Sequence, residues 1–452
     1  MKKEIHSLTE GPIAKSIIAF SLPILLSNLL QQVYNSVDSA ILGWAVGADA
    51  LAAAGSVGSL FQLLIGLSLG LANGVNILYS IQYGAAYKPA LKKLISNSLL
   101  LSVIASAVIA LFGTVFSDWL LQAINTPSEL LESSKAYLSI LSMGAIATLI
   151  YNVGAGILQA EGDSVRPLIF LAVGGLGNFA LDLLLVVCLD MGISGAAWAT
   201  VLAQSATAVL VLLRLSRLNP EYALRLESLS FDTDTAGYIL RLALPCGLQS
   251  SMFNISNLLV QAKINTFGAV IMAGYTAYCK VDAFVYMPIF AFSTAMSTFT
   301  GQNKGAGHPK RIRQGIKTTI CLTMGVSGLL AAVVLGFTAP LLHLFTDDAQ
   351  AVAFGVRMAR YLMPFVAVYS VSDILGSAVR GFGQSVPVTV ISLICICLFR
   401  VVWLEVLFRF SHNVRIIFLC YPISWLLCVA AVTIYYFRHS QVFRAVRDTG
   451  RS

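Results

Sequence analysis

Apolar stretches long enough to cross the hydrocarbon of a bilayer recur twelve times in this chain. They lie near 13 to 41, 50 to 79, 94 to 117, 136 to 158, 167 to 189, 193 to 214, 237 to 262, 269 to 299, 316 to 342, 357 to 379, 386 to 409 and 415 to 437. A helical span needs about 20 apolar residues, so each run suffices for one crossing. Charge is correspondingly scarce: 29 Lys or Arg and 21 Asp or Glu among 452 residues, or 11%. A soluble globular chain carries about a quarter, so an ordinary water-soluble enzyme is excluded. We expect an all-α integral membrane protein of twelve transmembrane helices.

The eight cysteines sit inside these apolar runs without Cys-x-x-Cys spacing and read as small hydrophobes, with no disulfide framework or structural metal site. Lys2 and Lys3 precede the first run, which continues without a cleavage-like exit; it reads as a retained span. The net charge of +8 is scattered between spans, which argues against a nucleic-acid partner. The orientation rule for membrane loops explains it better. Lys88, Lys92 and Lys93, then Arg214, Arg217 and Arg225, then Lys304, Lys310, Arg311 and Arg313, and finally Arg438, Arg444, Arg447 and Arg451 occupy alternate loops. The opposite loops carry Asp118, Glu129, Glu132, Asp190, Asp347 and Asp348 with few cations. We expect a multi-pass protein of the cell membrane with both termini cytoplasmic.

The chain also repeats itself. Pro23 and Pro245 stand 222 positions apart near the starts of spans one and seven, with Asn35 and Asn257 at the same offset. Gln82 matches Gln302 at 220, and Gly162-Asp-Ser matches Gly383-Gln-Ser at 221. An even number of spans per half returns the chain to its starting side, so two six-helix bundles would be related by a pseudo-two-fold axis along the membrane normal. This predicts an N-terminal lobe over 1–215, a cytoplasmic inter-lobe loop over 216–236, a C-terminal lobe over 237–437 and a basic tail over 438–452. Two such lobes facing a cleft suit alternating access, and the architecture favours a transporter.

Several pieces carry a family likeness: Pro23 with Asn35 and Asp38, Leu158-Gln-Ala-Glu-Gly-Asp-Ser164 followed by Pro167, Asn178-x-x-x-Asp182, and Gly195-Ala-Ala-x-Ala-Thr200. Gly301-Gln-Asn-Lys-Gly-Ala-Gly307 and Arg380-Gly-Phe-Gly-Gln-Ser-x-Pro387 complete the set. In order and spacing they resemble the multidrug and toxic compound extrusion (MATE) transporters over nearly the whole chain. The resemblance implies an antiporter that exports cationic amphipathic compounds in exchange for protons or sodium. It also maps Tyr34, Tyr137, Asn152, Asn178 and Thr200 to a polar cavity of the first half, and Pro23 to a bend in span one.

The residues themselves point to the same half. Gln31, Tyr34, Asn35 and Asp38 fall at i, i+3, i+4 and i+7, one helical face, and a charge at mid-bilayer must look into the bundle or a wet cavity. The other reading leaves Asp38 at the outer headgroups. Asn178 and Asp182 share a face of span five and can complete a site with Asp38. Two carboxylates brought together in low dielectric cannot both ionise cheaply; alternatively a sodium ion would find oxygens on Asp38, Asn178, Asp182 and Thr200. For Tyr137 and Thr200, ordinary packing with a bonded tip is the competing reading. At the duplicated positions of Asp38 and Asp182 stand Val260 and Val402, and span seven offers Asn254 and Asn257 without an acid.

The second half carries Asp373 in span ten and Asp282 in span eight. With Tyr369 and Asn257 they form the expected binding set for a small organic cation, on which aromatic rings can stack; a structural pair of Asp373 with Lys280 is the competing reading. Arg400 and Glu405 read mainly as a structural or interfacial pair. No Walker-type or His-Glu-x-x-His motif occurs, so neither ATP hydrolysis nor zinc proteolysis is supported, and no cofactor beyond the coupling proton or sodium is expected. A monomer in the lipid bilayer is the expected form. A lipid-linked oligosaccharide flippase of related fold is the alternative within transport; a membrane-embedded enzyme would need a nucleophile with its base, and none is seen.

The alternating basic loops make a direct prediction. A cysteine replacing Lys310 should be alkylated by a membrane-impermeant maleimide only from the cytoplasmic side, and one replacing Asp348 only from outside. Labelling of both from one side would refute the twelve-span topology.

Overall fold

The computed structural model describes residues 8–444 apart from 125, 226, 228, 412 and 443; Lys2, Lys3, His6, His412, Arg447 and Arg451 lie outside them. All regular structure among the described residues is helical. Helices α1 (Ile13–Ala45), α2 (Ala48–Gly84), α3 (Lys88–Val115), α4 (Ser117–Ala123), α5 (Ser128–Met143), α6 (Ala145–Ala160), α7 (Val165–Asp182) and α8 (Gly192–Ser216) build the first half. The second is built by α9 (Thr233–Asn265), α10 (Ala269–Gly305), α11 (Pro309–His343), α12 (Ala349–Gly381), α13 (Ser385–Ser392), α14 (Phe399–Leu407) and α15 (Val414–Arg438). Single π-helical turns follow α7 over Leu183–Cys188 and α13 over Leu393–Leu398.

Among the described residues ten helical segments are individually long and apolar enough to cross a membrane, and α5 with α6, bent by 44°, makes an eleventh. The twelfth expected span is α9, 33 residues long. Its apolar average is diluted by Gln249, Ser250, Ser251, Asn254, Ser256 and Asn257. The protein is an all-α, multi-pass membrane protein. Many helices exceed 30 residues, more than the hydrocarbon thickness demands, so their ends project beyond it or the helices tilt.

The duplication is written into the backbone. Gly162 and Gly383 adopt φ of +93° and +92°, and Gly47 and Gly268 adopt +115° and +95°. Each pair is one repeat apart, and glycine alone reaches these angles without steric cost.

Two compact units divide the described residues: one comprises 26–248, the other 8–25 and 249–444. The physical reason is visible in the contacts. In the first unit, the linker is strapped to α3: Asp232 accepts from Lys93 at 2.6 Å, its N–H donates to Asn97 Oδ1 at 2.9 Å, and the Ser230 N–H donates to Ser96 Oγ at 2.8 Å. The first half of α9 then packs so closely on α2 that a Cβ on Gly70 would lie 2.3 Å from the Gly247 nitrogen, the small-residue contact typical of membrane helices. In the second unit, the Leu8 N–H donates to Gln302 Oε1 at 3.0 Å, and Arg311 donates to the carbonyls of Leu8, Glu10 and Gly11. Gln302 and Asn303 of the repeated Gln motif thus hold the entering strand of chain.

The crossings from one unit to the other fall at 25/26 and 248/249, just past Pro23 and Pro245. A proline inside a helix removes one main-chain donor and loosens the turn before it. Each crossing helix is therefore weakened just before it changes unit. Pro23→Ala and Pro245→Ala, which restore that donor, should each raise the thermal midpoint of the detergent-purified protein while slowing turnover. Unchanged turnover in both variants would show that bending at these prolines is not required.

Candidate functional site

The polar side chains of the first unit converge where α1, α5, α7 and α8 meet. Of the four residues expected on one face of α1, Gln31 and Asn35 are exposed, and only Tyr34 and Asp38 turn inward. A stripe at that spacing spans more than 100° of the helix, and packing covers only part of it. On α7, Asn178 and Asp182 are wholly buried, 1% and 0% exposed, and the π-helical turn begins at the next residue. Such turns displace the helical register and gather at functional sites.

The Asp38 and Asp182 carboxyl groups lie near enough to interact electrostatically. Two carboxylates so placed in low dielectric cannot both ionise cheaply. Asp38 Oδ1 and Asp182 Oδ1 are buried with no partner among the described residues. Tyr137 lies within electrostatic reach of both acids and of Tyr34, and the Tyr34 hydroxyl donates to Thr200 Oγ1 at 3.5 Å. Among the described residues no Lys, Arg or His contacts the cluster.

Asn178 joins the acid of α7 to α8: its amide nitrogen donates to Asp182 Oδ2 at 2.8 Å while its oxygen accepts from the Thr200 N–H at 3.2 Å.

The remaining expected residues are placed differently. Asn152 is half-buried on α6, and among the described residues no hydrogen bond joins it to the acids. Gln204, one turn beyond Thr200 on α8, escaped the sequence reading; it lines a small recess with Leu30, Tyr34 and Thr207, its Oε1 buried without a partner. Its i+4 spacing from Thr200 was the available signal.

In the second unit Asp373 does not pair with Lys280. It accepts from Ser293, which also bonds Ser377 at 2.6 Å, and it lies 3.8 Å from Arg380 on the same helix. Arg380 donates to Ser377 at 2.9 Å and to Gln249 at 3.3 Å. Seven residues apart on one helix, Asp373 and Arg380 share a face, a pairing the sequence offered and we did not take. Asp282 accepts from Tyr278 at 3.2 Å. Tyr369 packs against Tyr286 and Trp425 with ring centroids 5.7 and 5.6 Å apart. Asn257 is exposed on α9 and joins neither cluster. Nor do Arg400 and Glu405 pair: Glu405 binds Lys263 at 2.7 Å, and Arg400 donates to Ser424.

Just past α6, Glu161 is 2% exposed and accepts from the Tyr79 hydroxyl at 2.9 Å. Burial pushes its carboxyl up to about 7, against the bonds from Tyr79 and Tyr222 and the nearby Arg214, which pull it down.

Two stretches of the chain, 23–184 and 245–404, match the MatE family profile, the second starting 222 positions after the first. The chain belongs to the multidrug and toxic compound extrusion (MATE) family. It is therefore a relative of transporters, and the internal repeat is the family's own. Over 401 residues the chain is 27% identical to the probable multidrug resistance protein YpnP of Bacillus subtilis (strain 168), covering 87% of this chain and 88% of that one. Over 449 residues it is 27% identical to the probable multidrug resistance protein YoeA of the same organism, covering 96% of each. A crystal structure of MATE in the bent conformation superposes with a TM-score of 0.91 over 100% of both chains at 21% identity, a likeness of fold.

The Glu161 pocket yields a prediction of its own. A carboxyl raised from 4.5 to about 7 on folding lends stability that is full below about pH 4.5 and is lost as the pH rises through 7. The neutral isostere escapes that loss. Glu161→Gln should melt with the parent near pH 4.5 and a few degrees above it at pH 8, in thermal unfolding followed by tryptophan fluorescence. Comparing the two proteins cancels the other titrating groups, and an equal gap at both pH values would reject the buried-acid assignment.

Proposed function

We propose that this chain is a secondary antiporter of the cell membrane that exports amphipathic organic cations in exchange for protons or sodium. Both termini are cytoplasmic in this reading, and the protein works as a monomer by alternating access of two lobes. The observation that carries it is the burial of Asp38 Oδ1 and Asp182 Oδ1 side by side in a cluster that no Lys, Arg or His contacts among the described residues. The multidrug-resistance names of its relatives support the direction and breadth of transport.

The coupling step follows from the charge of the two acids. With both ionised, repulsion between them and the unpartnered buried oxygens of the pair invite a proton or a sodium ion. Protonation of Asp182 weakens the bond its carboxylate accepts from the Asn178 nitrogen, and with it the hold of Asn178 on the Thr200 N–H. That change transmits the charge state of α7 to α8, and Tyr34, bonded to the Thr200 hydroxyl, transmits it to α1 above Pro23. A sodium ion seated on the same oxygens neutralises the pair in the same way, through Asp38 Oδ1 and Asp182 Oδ1. The loss of charge repulsion lets α1 settle against α7, and the cation site reshaped by that movement releases its cargo outward. In the second unit, Asp282 and Asp373 supply negative charge beside Tyr369 for the organic cation.

Efflux of a cationic dye from proteoliposomes, driven separately by a proton gradient and by a sodium gradient, tests this. Asp38→Asn and Asp182→Asn should each lower gradient-driven efflux at least ten-fold while dye binding in detergent persists. Full efflux by either variant under both gradients would place the coupling site elsewhere.

A further inference from the structure

Deep in the second unit lies a buried cation that the mechanism above does not use. Arg400 is 6% exposed, seven residues inside the end of α14 at Leu407, or about 10 Å along the axis. The π-helical turn over Leu393–Leu398 ends just before it. A charge at that depth is costly unless something answers it. Its expected partner Glu405 is taken by Lys263 at 2.7 Å, and among the described residues no carboxylate lies within ion-pair distance of Arg400. Its Nε donates to Ser424 Oγ at 3.1 Å, and its guanidinium carbon stands 4.2 Å from the centroid of the Tyr421 ring. Those contacts use one donor and one face. The two terminal nitrogens, the parallel fork that suits a carboxylate, make no hydrogen bond among the described residues.

What surrounds the fork is aromatic. Tyr286, Tyr369, Tyr421 and Trp425 form a continuous set of ring contacts, with centroids 5.6 to 6.3 Å apart. Asp282 stands within electrostatic range of Arg400, its own oxygen held by Tyr278. A guanidinium beside that carboxylate weakens its pull on a simple cation and adds a seat of the opposite sign.

We propose that Arg400 receives an acidic substituent, a carboxylate or sulfonate, on an aromatic compound that this transporter exports. The rings take the aromatic system, the terminal nitrogens of Arg400 take the acid, and Asp282 answers a basic nitrogen where the compound has one. The best cargo is then a zwitterionic aromatic amphiphile and not a simple monocation. The proposal rests on the exporter reading above and names the chemistry of its second-unit site.

Rhodamine B and its ethyl ester test it, because they share ring and positive charge and differ in one free carboxylate. Binding is measured by fluorescence anisotropy on the full chain purified in detergent. The parent should bind the free acid about ten-fold more tightly than the ester, the scale of one charge-assisted pair. Arg400→Met should lose the preference for the acid and bind the ester no more weakly than the parent does, because the guanidinium no longer offsets Asp282. Arg400→Lys, which keeps the charge but loses the planar fork, should lose most of the preference; it carries the test if the Met variant does not fold. Equal affinities in the parent, or a full preference in either variant, overturn the proposal. Gradient-driven efflux of the ester separates the two readings. An exported ester without any preference for the acid removes this inference alone, whereas neither binding nor export of either dye removes the exporter reading with it.

Discussion

Two carboxyl groups close together inside a helical bundle, with no Lys, Arg or His contacting them among the described residues, impose the condition around which the first unit is arranged. Inside hydrocarbon the backbone must satisfy itself, so α1, α7 and α8 arrive with their peptide groups already bonded, and only side chains remain to answer the charge of Asp38 and Asp182. Asn178 and Thr200 do so with groups that can reverse donor and acceptor roles. A lysine or arginine in their place would neutralise the pair permanently. An amide and a hydroxyl leave its charge uncancelled.

Close backbone packing is what makes such a cluster rigid enough to matter. Gly70 and Gly74 of α2 lie against Gly247 and Ala243 of α9, and Gly156 of α6 against the Ala72 carbonyl. In the second unit Gly274 of α10 meets the Ala351 carbonyl and Gly381 of α12 the Ser297 carbonyl. Lipid tails are as apolar as leucine, so helices in a membrane gain association from contacts of this kind and not from burying apolar area. The prolines stand outside that scheme: Pro23 and Pro245 sit where the chain passes between units, so each crossing helix carries its own weak turn.

The two halves keep one backbone plan and divide the chemistry. Glycines at matched positions hold the same left-handed turns, and a π-helical turn interrupts the same span of each half. The side chains differ. In the first unit two acids face each other, whereas in the second Asp373 lies 3.8 Å from Arg380 and Asp282 lies in the field of Arg400.

Much of this was legible in the chain by itself. Length and hydropathy of the apolar runs determined the spans, because a bilayer admits only helices of that length; the offset of Pro23 and Pro245 determined the repeat; and the spacing of Asn178 and Asp182 determined their shared face. These are properties of neighbours along the chain. Tertiary structure alone decided that Gln31 and Asn35 stay outside while Tyr34 and Asp38 turn inward, that Glu405 goes to Lys263 and not to Arg400, and that Glu161 is buried against Tyr79. It also decided that residues 8–25 join the second unit. Each of those outcomes depends on which helices touch and at what rotation. Packing between residues tens to hundreds of positions apart sets both, and no local pattern records it.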